Sequence, residues 1–163
     1  MFAASNSKIL ETVPGPLSLI LNSTEYSAAD MAGNVVFGAY CSTKARSDGK
    51  SFGSESSFLF CLLPQCNSFR YMDNSGDHNF AYLETKSNPG IGFGGCTPET
   101  SRIWIDKDIV NGSRVRDGGD STCERGSIVP HYLRDKPLPL ESIEVWVMTD
   151  DATRSHMCRV INE

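Results

Sequence analysis

Asp106, Asp108, Asn111 and Gly112 bring carboxylate and amide oxygens close to a glycine, the residue types of an oxygen-ligand calcium loop. The register does not suit one: the glycine comes one position late, and the closing acid is Asp117 rather than a glutamate. The set reads as a carboxylate-rich turn whose oxygens cap local backbone amides. Gly90 to Gly95 match G-x-G-x-x-G, which cradles a pyrophosphate when it lies between a strand and a helix. Here Pro98 and Thr100 follow, then the strand-like run Arg102–Asp106, leaving no room for a crossover helix of roughly ten or more residues. These glycines read as a strand or bulge packed tightly under a neighbour. Hydrolase chemistry needs a nucleophile, a base and an orienting acid. No G-x-S-x-G elbow occurs, and His78, His131 and His156 stand in polar or loop contexts without a sequence partner. Asp73, Asp77 and Glu84 fix no catalytic spacing.

The six cysteines are Cys41, Cys61, Cys66, Cys96, Cys123 and Cys158. No C-x-x-C occurs, only Cys61 and Cys66 approach metal-ligand spacing, and the spacings make no compact disulfide framework. Free and mostly buried thiols are expected, with neither metal nor cofactor. Cys123 lies between Asp120 and Glu124 with Arg125 adjacent, where the arginine lowers a thiol pKa and the acids raise it. It is the candidate reactive thiol, whereas Cys61, inside an apolar run, is expected to be inert.

The elements that must position these residues are strands. At 163 residues the chain suits one domain with a real core. Leu17–Leu21, Val35–Tyr40, Phe58–Leu63, Ser68–Met72, Phe80–Glu84, Ile103–Ile105 and Ser142–Thr149 are short apolar or alternating runs separated by turn residues. The first two are set to pair as an antiparallel ribbon. Phe58–Leu63 is apolar on both faces and should lie centrally. No amphipathic helix is evident, so the fold class is mostly β, a two-sheet antiparallel sandwich. Phe58, Phe60, Leu62, Phe93, Ile103, Ile105, Val145 and Val147 are the expected core. Val110–Ile128 reads mostly as a long polar loop, and the chain from Asp150 as a polar, frayed tail.

A net charge of −5 opposes general nucleic-acid binding, and no apolar run is long enough to span a membrane. No secretory signal is evident either, so a cytoplasmic protein is expected, and the sequons at Asn22 and Asn111 are read as chance.

Taken in order, Gly33-Asn34-Val35-Val36-Phe37-Gly38-Ala39-Tyr40, Phe52-Gly53, Ser57-Phe58-Leu59-Phe60, Gly92-Phe93-Gly94-Gly95 and Ile103-Trp104-Ile105-Asp106 form a recognisable series. Gly112-Ser113, Cys123 and Glu144-Val145-Trp146 continue it. The series resembles the TLDc domain of the oxidation-resistance proteins across residues 15–150. Residues 1–14 are an unmatched segment, as of a domain truncated at its N-terminus, and residues 151–163 a tail. The sequence departs from the pattern at Cys96, Arg125 and Val147. The resemblance implies a β-sandwich with short flanking helices and a non-enzymatic interaction module. It also implies protection against oxidative stress and binding to peripheral subunits of the vacuolar-type proton ATPase. On this reading Arg114, Arg116 and Arg125, in the long polar loop, are the candidate partner-binding residues. Two alternatives stay open: a thiol-based redox protein using Cys123 or Cys96, and a structural fragment of a larger regulatory protein.

Overall fold

β-Branched and aromatic runs favour the pleated, half-buried surface of a sheet. The computed structural model describes residues 16–24, 33–72, 80–87, 89–116, 122–138, 140–147 and 156–161, and all of the runs read above that fall within them are strands. They are β1 (Leu17–Thr24), β2 (Asn34–Cys41), β3 (Phe58–Leu63), β4 (Asn67–Arg70), β5 (Ala81–Glu84), β6 (Gly90–Phe93) and β7 (Ile103–Asp106). The short helix α1 (Ile109–Gly112), β8 (Arg114–Val115), a 3-10 turn at His131–Leu133, β9 (Leu140–Val147) and β10 (His156–Ile161) follow. They build two antiparallel sheets, of order β10-β9-β1-β2-β3-β4 and β5-β6-β7-β8. The ribbon expected from the first two runs is β1–β2, in register from Leu17↔Cys41 to Thr24↔Asn34.

The core lies between the sheets. Leu19, Leu21, Val35, Phe37, Ala39, Leu59 and Cys61 face inward from the larger sheet, and Ala81, Leu83, Ile91, Phe93, Ile103 and Val115 from the smaller. Each large apolar side chain so buried contributes about 1.5–3 kcal/mol. Phe93, Ile103 and Ile105 are buried as expected, and Val145 packs against the core from a half-buried position. The side chain of Val147 lies outside the described set.

β3 corrects the sequence reading. Leu59 and Cys61 point inward, Phe58 and Phe60 are half-buried on the opposite face, and Leu62 is 45% exposed. A run apolar at every position carries no alternation, so its neighbour decides which face is inner. β2 sets Ala39 opposite Leu59 and Phe37 opposite Cys61. On the outer face Phe58 stacks near Tyr40, with centroids 5.3 Å apart, and the Phe60 ring covers Gly38.

The chain end is a second correction. Instead of fraying, β10 pairs with β9 from His156↔Val147 to Ile161↔Ser142. The tail around it is polar, but His156–Ile161 itself carries Met157, Cys158, Val160 and Ile161, a short apolar run with strand propensity that β9 offers an edge to. The unmatched segment 1–14, together with Asp73, Asp77, His78, Asp117 and Asp120, falls outside the described residues.

A candidate interaction surface

The glycine stretch and the tryptophan strand lock together first. In the β6–β7 pair Gly92 faces Trp104 and Gly90 faces Asp106. A β-carbon at Gly90 would meet the Trp104 ring and the Ile105 carbonyl, and one at Gly92 would meet the Ser101 hydroxyl. The G-x-G-x-x-G spacing thus serves close packing, as the sequence reading held. Trp104 Nε1 donates to Asp106 Oδ2 at 3.1 Å, and Asp106 Oδ1 accepts from the Asp108 amide at 2.9 Å. Asp108 Oδ1 accepts from the Asn111 amide at 3.2 Å, capping α1. These carboxylates satisfy local donors, which is the turn-capping role read from the sequence. Among the described residues no three histidines, cysteines or acids gather as a metal site.

Arg102 then fixes the loop that follows. Its side chain is 1% exposed and lies over the Phe69 ring, 5.1 Å from the centroid. Nη1 donates to the Glu124 carbonyl at 2.9 Å, and Nη2 to the Gly126 carbonyl. From the other sheet Arg70 N donates to Glu124 Oε2 at 3.0 Å, and Met72 N to the Thr122 carbonyl at 2.7 Å. Cys123, bridged to Tyr71, is therefore 2% exposed. Cys123, the candidate reactive thiol, thus lies in the core although the loop that carries it is polar in sequence. Sequence reasoning passed over Arg102, because an arginine beginning a strand has no local signature of burial.

The three arginines of the long loop do different things. Arg114 is exposed and donates from Nε to the Gly112 carbonyl at 3.3 Å. Arg125 is exposed. Arg116 is half-buried, and its Nη1 donates to the Pro98 carbonyl at 2.8 Å and to the Glu99 carbonyl, strapping the turn after β6 to β8. Part of the long loop is regular, since α1 and β8 occupy it.

A cleft forms where the loop between β2 and β3 passes the smaller sheet. The base of that loop is tied by Ser57 Oγ, which accepts from the Ser42 amide at 3.1 Å and the Ser54 amide at 3.2 Å. Phe52 bridges to Ala81 in β5, each amide donating to the other's carbonyl at 2.8 Å. Beyond this bridge the loop diverges and leaves a cleft of about 830 Å³, lined by Lys44, Arg46, Lys50, Phe52, Tyr82 and Cys96 among others. Arg46 pairs with Asp48, and its hydrogen bond holds that carboxyl below the usual carboxylate range. Tyr82 donates to Glu84 Oε2 at 3.1 Å; burial, and then that carboxylate, push the phenol up. The Lys86 amide in turn holds Glu84 low. In sequence the loop is a stretch rich in serine, glycine and charge, with nothing in it that points to Tyr82 or Cys96.

The thiols divide by exposure. Cys41 and Cys61 are buried, and burial pushes both up despite hydrogen bonds that oppose it. Cys66 is exposed, and Cys96 is half-buried at the cleft.

Two antiparallel sheets, glycines packed against a strand tryptophan, and loops pinned by arginine define a β-sandwich module that displays its surface on fixed loops. The family model for the TLDc domain matches residues 7–149, and the chain belongs to that family. No curated protein matches the chain with significance.

Proposed function

We propose that the chain acts as a non-enzymatic interaction module, cytoplasmic, which protects against oxidative stress by binding peripheral subunits of the vacuolar-type proton ATPase. The observation that carries this reading is the TLDc match over residues 7–149. Its physical companion is the arrangement of rigid sheets that hold loops with exposed Arg114 and Arg125, since loops on a fixed scaffold are common recognition surfaces. The test is retention of the ATPase peripheral sector by the immobilised chain, compared with a double variant, Arg114→Ala with Arg125→Ala. Arg116 is left intact because it braces the fold. Retention by wild type and a loss of tenfold or more in the variant support both the function and the arginines. Equal retention supports the function and rejects the arginines. No retention above background by wild type rejects the function.

One observation favours a second reading, a thiol-based redox role. Cys96 keeps partial exposure at the cleft, where Cys123 does not. Peroxide consumption that disappears in Cys96→Ser would support it, and unchanged consumption would remove it.

A further inference from the structure

The segment between β2 and β3 is pinned at three places. Ala45 is buried in the core, Phe52 bridges to Ala81, and Ser57 Oγ holds the Ser42 and Ser54 amides. Between Ala45 and Phe52 the chain turns through Gly49, whose φ of +73° is open to a residue without a β-carbon. Lys44 and Arg46 flank the Ala45 anchor, and Lys50 lies two residues before Phe52. All three are exposed and line one cleft. Its other wall includes Tyr82 of β5 and Cys96 after β6, whose amide donates to Thr100 Oγ1 at 3.3 Å. Backbone held in this way leaves a ligand less to order when it binds.

The charge of that cleft is one-sided. Three cations line it and no carboxylate does. Neither Lys44 nor Lys50 has an ion-pair partner among the described residues. Arg46 pairs with Asp48, but both side chains are exposed, and such a pairing is weak enough for a stronger anion to displace. Glu84 and Glu99 act on the Tyr82 phenol from outside the lining, and Glu84 already accepts from Tyr82 and from the Lys86 amide. In a chain of net charge −5 this wall is a local exception, and its cleft of about 830 Å³ falls within the ~300–1,000 Å³ range of ligand sites. Two ammonium groups and a guanidinium fork are the groups that take phosphate oxygens, and a phosphate carries close to two charges at neutral pH. A single carboxylate answers only one of the three cations.

We infer that the cleft binds a compact ligand bearing two or more phosphate groups, which meet Lys44, Arg46 and Lys50. Arg46 exchanges Asp48 for phosphate, and the lysines gain the partner they lack in the chain itself. The ligand is a free polyphosphate or the polyphosphorylated headgroup of a lipid, since both present the same chemistry to the cations. The inference stands on the cleft alone and not on the ATPase reading.

The test titrates the full chain with inorganic triphosphate in a calorimeter at low salt. Iodoacetamide, a neutral reagent, labels the thiols in parallel, and mass mapping compares Cys96 at the cleft with exposed Cys66 outside it. The protein variant is Lys44→Ala with Lys50→Ala, its urea midpoint checked against wild type. Saturable binding is expected, weakened tenfold or more by the double variant and by raised salt. At saturation the labelling of Cys96 slows several-fold while that of Cys66 is unchanged. Absence of saturable binding up to millimolar triphosphate overturns the inference. Binding that the double variant keeps, or that leaves Cys96 unprotected in wild type, overturns it too, because the ligand then sits elsewhere. Equal affinity for citrate, a tricarboxylate, rejects the phosphate class. Vesicles carrying a polyphosphorylated inositol lipid separate the two sources. Capture by these vesicles that triphosphate reverses supports the inference with a headgroup as ligand, and triphosphate binding without capture supports it with a free one.

Discussion

The molecule holds two groups of cations that composition alone cannot tell apart. Arg102 and Arg116 direct their guanidinium groups to backbone carbonyls, at Glu124 and Gly126 for the first and at Pro98 and Glu99 for the second. Lys44 and Lys50 stand exposed at a cleft with no ion-pair partner among the described residues. The difference follows from side-chain chemistry. A planar guanidinium with five donors can bind several carbonyls at once and lie on an aromatic ring, so it can be buried at the join between loops. An ammonium is a compact and strongly hydrated charge that stays in water. The arginines are therefore part of how the fold is held, and the lysines are available for something outside it.

Substitutions sharpen this contrast. Replacing Arg102 with Met keeps volume but removes the donors to two part-buried carbonyls that hold the following loop, and is expected to lower stability by about 2–3 kcal/mol in urea unfolding. Gly92→Val drives a side chain into Ser101 and is expected to cost about 2–3 kcal/mol, read the same way. Arg116→Ala removes the strap to the turn after β6 and should cost about 1–2 kcal/mol. If Arg102→Met proves as mild as a surface change, the contrast between the two groups collapses.

Smaller effects test its other side. Cys41 and Cys61 have folded-state thiol pKa values raised above the ordinary 9.0, chiefly by burial. The folded chain then holds its protons more tightly than the unfolded one, so their contribution is intact below the unfolded-state pKa and is lost as pH rises through and beyond it. The urea midpoint should fall more steeply above about pH 9 in wild type than in Cys41→Ala with Cys61→Ala. Lys44→Ala with Lys50→Ala should shift stability by less than about 0.5 kcal/mol at neutral pH. A larger loss would place the lysines with the structural arginines and remove the basis for a free cationic cleft.

Much of this architecture was legible where local pattern and tertiary demand agree. Val35–Tyr40 and Ile103–Ile105 have strand composition, turn residues at their ends and burial to match. The capping role of Asp106 and Asp108 was readable because it is local. Legibility failed where the deciding partner is distant. The face of β3 is chosen by its register with β2, and β10 is a strand because β9 offers it an edge. Cys123 is buried because Arg102 and the end of β4 draw its loop inward. At the candidate surface the sequence isolated Arg114, Arg116 and Arg125 by their nearness along the chain, but Arg116 has a structural task. It missed the β5 cleft because Lys50 and Tyr82 meet only once both elements are placed.

The order of strands in the larger sheet also has a consequence for how the chain is made. Its first strand is flanked by a late one, with Leu17 opposite Val147, so that sheet stays open at β1 until the ribosome has delivered β9. The smaller sheet is contiguous in sequence, running from β5 to β8, and its pairings are local enough to form earlier during synthesis. A nascent chain that has emerged only as far as Val115 has all four strands of the smaller sheet, while the β1–β2 ribbon still exposes the edge that β9 will cover. During that interval β1 is open to pairing with another nascent chain, a hazard that ends when β9 docks.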